Sequence, residues 1–173
     1  ATHGAPTEVN AHPHTDGLGR VAVVHNGIIE NAPALRGELE SGGACFRSET
    51  DTEVIPFLLG SVYSGDPLAA LRSVARRLVG AFAIGVVFAD RPGELYAMRR
   101  GSPLAIGVGE SEMFLSSDAG SFVAHTRRIV YLADDQVARL RASDFHLEDI
   151  EGLRVDAEIE EVSFDASSLD LCG

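Results

Sequence analysis

From residue 80 onward the chain breaks into short β-prone runs at close, regular spacing. These are "GAFAIGVVFAD", "ELYAMRR", "LAIGVG" and "EMFLSS", divided by "RPG", "GSP" and "GES". Runs this short, rich in β-branched and aromatic residues and closed by Gly and Pro, leave no room for crossover helices. They therefore predict antiparallel strands joined as a meander. "RIVYLA", "DQVARLR" and "AEIEEVSF" predict further strands, and "DAGSFVAHT" a short helix.

The first half reads differently. Residues 1–19 have no periodicity and are rich in Gly, Pro, Asn, Thr and His, so they predict a loop. "RVAVVHNG" predicts a buried strand that ends in an Asn-Gly turn. "NAPALRGELESGG" predicts a helix capped by Asn31, with Pro33 in its first turn, Leu35 and Leu39 on one face, and Gly42-Gly43 at its end. "CFRS" suggests a short strand. "DTEVIPFLLGSVYSGDPLAALRSVARRLVG" predicts two helices, the second starting at Asp66-Pro67. The expected fold class is α+β, with helices covering at least one sheet face.

Composition then excludes several functions. No apolar run is long enough to span a bilayer, and no secretory leader is evident. A net charge of −12 repels phosphate backbones, which argues against nucleic-acid binding. The acid clusters late: ten of the 26 carboxylates fall between Asp144 and Asp170, as expected of a solvated surface. All fourteen basic residues are Arg, so the chain has no lysine with which to form a Schiff base. Two distant cysteines, Cys45 and Cys172, make no disulfide framework, and a cytoplasmic location is expected. Cys45, beside Phe46, is expected in the core.

Three of the six histidines, His3, His12 and His14, fall in the opening "ATHGAPTEVNAHPH". His12 and His14 flank a proline and could face the same side of an extended segment. No HExxH or clustered cysteine supports a metal site, and no metal or cofactor is expected. Asn26-Gly27 has two readings. It is a hairpin turn, or it aims an amide N–H₂ and an unhindered backbone N–H at a developing oxyanion. Asp51 likewise has two: the N-cap of "TEVIPFLL", or a carboxylate for an ammonium group.

In order, "THG…NAHPH", "VVHNGIIEN" and "SETDTEV" resemble the glutaminase domain of the class II glutamine amidotransferases, in the form that glucosamine-6-phosphate synthases carry. "RRGSPLAIGVGESEMFLSSDAGSFVAHTRRIVYL" extends the resemblance, which runs over residues 1–165; residues 166–173 form a divergent tail. The resemblance implies the N-terminal-nucleophile hydrolase fold, an αββα sandwich of stacked antiparallel sheets. It implies L-glutamine as substrate, hydrolysed to glutamate and ammonia, which a second domain uses to convert fructose 6-phosphate to glucosamine 6-phosphate. It assigns Asn26 and Gly27 to the oxyanion hole, Asp51 to the glutamine α-ammonium, and Thr2 and His3 to the α-carboxylate. His12, His14 and His25 are left as structural residues.

The family's nucleophile is a cysteine at the mature N-terminus, preceding this motif by several dozen residues together with an early Arg and an Arg-Trp pair. Residue 1 here is Ala. The expectation is a truncated domain lacking its first strands, with an open sheet edge and an exposed apolar face, and inactive alone. The amine of Cys172 is bound in a peptide, so Cys172 is not expected to replace that nucleophile. The sugar-phosphate isomerase domain would be the partner, in a full-length dimer. Alternatives are a glutaminase of another class II amidotransferase, a non-catalytic glutamine- or glutamate-binding module, and a histidine-based metallohydrolase.

Overall fold

The computed structural model describes residues 5–162. Eleven strands and three helices are present among them. Seven strands form one antiparallel sheet in the order β1 (His14–Thr15), β2 (Val21–Ile29), β3 (Gly80–Phe88), β4 (Leu95–Arg100), β8 (Gln136–Leu140), β9 (Phe145–Glu148) and β10 (Arg154–Val155). Four form a second: β11 (Glu160–Glu161), β7 (Arg128–Tyr131), β5 (Ala105–Val108) and β6 (Met113–Ser116). The expected meander is therefore divided. β3 and β4 pair in one sheet, β5 and β6 in the other, and "GSP" carries the chain between them.

Helices α1 (Ala32–Ser41), α2 (Val54–Val62) and α3 (Pro67–Ala75) pack on one face of the larger sheet. α2 is apolar over most of its surface because most of it is enclosed: Val54, Ile55, Leu58 and Leu59 are each 0% exposed. α3 starts as its sequence predicts, with Asp66 Oδ1 accepting from Ala69 N–H at 3.1 Å. α1 does not use its expected cap. The Asn31 side chain instead donates to Arg77 O (2.8 Å) and accepts from Val79 N–H (3.0 Å), tying the helix start to the approach to β3. "CFRS" forms no strand, and the opening loop contains a 3-10 turn (Glu8–Asn10) as well as β1.

Along β3 and β4 the side chains alternate between two cores. Phe82, Ile84, Val86, Tyr96 and Met98 face the helices. Ala83 and Ala97 face the second sheet, where Leu104, Ile106, Val130 and Leu132 complete a core between the sheets. A third, smaller cluster of Ala105, Phe122 and Ile129 lies under the 3-10 turn Ala119–Phe122 on the outer face of the second sheet. The result is the expected pair of stacked antiparallel sheets with helices outside; of the αββα layers, the outer one on the second sheet is represented among the described residues by the short 3-10 turn Ala119–Phe122. The second sheet stops short of β2: Val24, Ile28 and Val87 stay 45–47% exposed on the face between the sheets. Among the described residues no helix is long and apolar enough to cross a membrane.

Candidate active site

The three motif segments meet at one edge of β2. The opening loop is stitched to "SETDTE" by its polar side chains. Asn10 Oδ1 accepts from Glu49 N–H (3.0 Å), the His14 ring lies 3.1 Å from Thr50 Oγ1, and the His12 ring 3.4 Å from Thr52 Oγ1. The two imidazoles meet edge to face, with centroids 5.5 Å apart. His25, buried on β2, bonds through Nδ1 to Thr52 Oγ1 at 2.9 Å. Imidazoles 12, 14 and 25 thus each engage a threonine hydroxyl.

The "SET" loop is folded around Glu53. Its buried carboxylate accepts from the backbone N–H groups of Arg47 (2.9 Å) and Ser48 (2.7 Å) and from the Ser48 hydroxyl (2.6 Å), with the Arg36 guanidinium 3.9 Å away. Thr50 and Glu53 have the spacing of a capping box, a signal legible in sequence. Here Glu53 reaches further back, to residues 47 and 48.

Asn26-Gly27 is not a turn. Both residues lie inside β2, in a nine-residue ladder with β3 in which Asn26 pairs with Ala83 and Gly27 with Phe82. Gly27 has φ +133°, and a Cβ there would stand 2.1 Å from the Ala81 carbonyl oxygen. The glycine is required by the close approach of β3 and by a backbone conformation L-residues rarely adopt. The Asn-Gly signal is local; nine residues of strand pairing override it.

That pairing decides where the Gly27 N–H points. Glu30 N–H donates to Val79 O (2.8 Å) at the end of the same ladder. Antiparallel alternation then turns the even-numbered peptide groups of β2 toward β3 and the odd-numbered N–H groups away. Ile29 N–H obeys this, donating to Asp51 Oδ2 at 2.7 Å. Gly27 N–H lies on the same edge, two residues or roughly 7 Å along the strand. Asp51 caps no helix end. Its carboxylate spans to β2, so the structure brings Asn26, Gly27 and Asp51 together. Thr2 and His3 lie outside the described residues, as does Cys172.

Asn26 is exposed and lines a cavity of about 260 Å³ together with His12, His25, Gly85, Leu104 and Ser116. Burial pushes the His12 pKa down, and the charge of His14 adds to this while Asp51 opposes it. Burial likewise lowers His14, against the carboxylates of Glu53 and Asp51. Neutral imidazoles are therefore favoured beside the cavity. A larger cavity, about 650 Å³, lies apart from Asn26, lined by Arg20, Cys45, Arg47, Phe57 and Arg77 among others. Cys45 is exposed there rather than in the core. Sequence reasoning passed over Thr52, which resembles any small polar residue between acids.

Comparison with known proteins identifies the family. A family model described as a glutamine amidotransferase domain matches residues 5–124. The chain is 50% identical to a glutamine–fructose-6-phosphate aminotransferase (isomerizing) of Streptomyces coelicolor, over 100% of this chain and 28% of that protein. It is 44% identical to that of Aquifex aeolicus, over 100% of this chain and 29% of that protein. The chain thus spans little more than a quarter of these curated relatives. Among solved structures, glutamine phosphoribosylpyrophosphate amidotransferase from B. subtilis superposes with a TM-score of 0.70 at 23% identity, covering 84% of this chain and 33% of that one. That likeness shows the fold alone: two stacked antiparallel sheets with helices outside. With a family match over more than half its length, the chain belongs to the glutamine amidotransferase domain family.

Proposed function

We propose that the chain forms the glutamine-binding part of a glutaminase that feeds ammonia to glucosamine 6-phosphate synthesis. The observation that carries this is the Asp51–Ile29 bond, which fixes a carboxylate on the β2 edge along which the Gly27 N–H is directed. Glutamine laid along that edge places its α-ammonium on Asp51 and its side-chain carbonyl between the Asn26 amide and Gly27 N–H. Thr2 and His3 hold the α-carboxylate. When a thiolate adds to the amide carbon, negative charge moves to the carbonyl oxygen, and the two donors stabilise it in place. Ammonia leaves, and water releases glutamate from the thioester.

The thiolate is not supplied by the residues described. Cys45 opens on the larger, separate cavity. The described residues therefore act in glutamine binding and oxyanion stabilisation. Residues 1–165 act as one domain, and the partner that consumes the ammonia is a sugar-phosphate isomerase domain, cytoplasmic and dimeric in the full-length enzyme. The strong identity to the isomerizing aminotransferases favours this acceptor over those of other class II amidotransferases.

The test is a titration of the isotope-labelled chain with glutamate and glutamine. Amide shifts are expected at Asn26, Gly27, Ile29 and Asp51. Asp51→Asn should weaken binding about ten- to a hundredfold, the worth of a charge-assisted hydrogen bond. Shifts clustered instead around Cys45 and Arg47 would overturn the site.

A further inference from the structure

The Asp51–Thr52 dipeptide touches β2 at two points. Asp51 Oδ2 takes the N–H of Ile29 at 2.7 Å, and Thr52 Oγ1 meets His25 Nδ1 at 2.9 Å. Residues 25 and 29 bracket Asn26 and Gly27. A third arm runs from the same hydroxyl to the His12 ring at 3.4 Å, and His12 and Asn26 line one cavity. Thr52 itself is 4% exposed and so does not present its hydroxyl to solvent. A single buried hydroxyl thus joins the strand carrying the oxyanion donors, the turn carrying the carboxylate, and the loop over both.

From this geometry we infer that Thr52 is a positioning residue: it sets the spacing between the Asp51 carboxylate and the Asn26–Gly27 edge. The inference rests on the proposed glutamine site and deepens it. A hydroxyl has one proton and two lone pairs, so Thr52 can donate to one imidazole while accepting from the other. Valine keeps the shape and removes both bonds. The turn then loses one of its two side-chain ties to residues 25 and 29, and the Ile29–Asp51 bond opens more often. Serine restores the hydroxyl.

The experiment compares the 173-residue chain with its Thr52→Val and Thr52→Ser variants by amide exchange at Ile29 and by glutamate affinity. Buried amides of β4 and β8 serve as the stability control. Thr52→Val should speed Ile29 exchange and weaken glutamate binding by about tenfold each, the effect of one lost buried hydrogen bond. Thr52→Ser should stay within about threefold of the parent in both, with the control amides unchanged. An unaltered Ile29 in Thr52→Val, or a Thr52→Ser variant as impaired as Thr52→Val, overturns the inference. If the parent binds no glutamate while Ile29 still responds, the proposed function fails and the clamp stands. If Thr52→Val does not fold, the parent itself decides. A slowly exchanging Thr52 hydroxyl proton coupled to the His25 ring supports the clamp, and a solvent-exchanging hydroxyl beside a freely turning ring overturns it.

Discussion

Replacing Gly27 by alanine tests whether the paired strand, rather than a turn, explains that glycine. The residue stands at φ +133°, and a Cβ would meet Ala81 O at 2.1 Å, Ala81 C at 2.9 Å and Phe82 Cα at 3.0 Å. All three are backbone atoms of β3, which cannot swing aside as a side chain can. The backbone conformation alone costs an alanine about 1–3 kcal/mol. Forcing a methyl group into a closed contact costs about 1–3 kcal/mol more. The sum, about 4 kcal/mol, is a large part of a domain's usual stability of about 5–15 kcal/mol. Gly19 is the internal control, with φ +70° and nothing within 4 Å of the point where a methyl group would stand. There only the backbone term applies, about 1–2 kcal/mol. In urea, with a slope of about 2 kcal/mol per molar, Gly27→Ala should lower the midpoint by about 2 M and Gly19→Ala by less than about 1 M. Equal shifts for the two variants, or a loss under about 1 kcal/mol at Gly27, would refute the close-approach argument.

Two further outcomes follow from polar contacts. His12 and His14 have folded pKa values below the ordinary 6.5, chiefly through burial. The unfolded chain therefore takes up their protons first, so stability is full above about pH 6.5 and declines as pH falls below it. Urea midpoints should drop from about pH 7.5 to pH 5.5, and the drop should shrink in a His12→Gln, His14→Gln double variant; an equal drop in that variant would exclude the histidines as its source. Asn31→Ala removes both the bond to Arg77 O and that from Val79 N–H, and should cost about 2 kcal/mol by denaturation; a cost under about 0.5 kcal/mol would mean that water replaces both.

Where sequence signals failed, a longer-range contact had outbid a local one. β3 and α2 were legible because a strand or helix buried on both sides leaves an apolar run that no surface element shows. Which sheet each later strand joins was not legible. β4 and β5 look alike as runs, and only their partners, β8 for one and β7 for the other, separate them. β9 and β10 escaped notice because they carry His146, Glu148 and Arg154, charged or polar residues at a half-exposed sheet end. Cys45 shows a failure of another kind. Phe46 does pack, 4.6 Å from the Phe57 ring and beneath the Arg36 guanidinium at 4.1 Å. Its neighbour Cys45 is exposed, so an apolar pair in sequence is split between packed and open surroundings.

The candidate site was legible to a different depth. The order of motifs led to the expectation that Asn26, Gly27 and Asp51 act together; the structure shows the physical link, an Asp51 bond to the strand that carries the other two. Gly27 shows how tightly the ladder constrains this edge. A Cβ there would project into β3, 2.1 Å from Ala81 O, while the N–H points to the opposite edge. Any side chain at this position therefore disturbs the ladder first. Asp51 shows another demand. Its bond to Ile29 engages Oδ2, so the fold itself fixes the carboxylate. The proposed pocket needs such a fixed group, because a mobile carboxylate would lose in ordering entropy much of what it gains in charge. Loop residues otherwise free to move, among them His12, His14, Thr50 and Thr52, meet that requirement through bonds to one another rather than through burial of apolar surface. Hydroxyls and imidazoles at this density along the β2 edge are therefore scaffold, and in the proposed site the chemistry falls to the few groups they hold still.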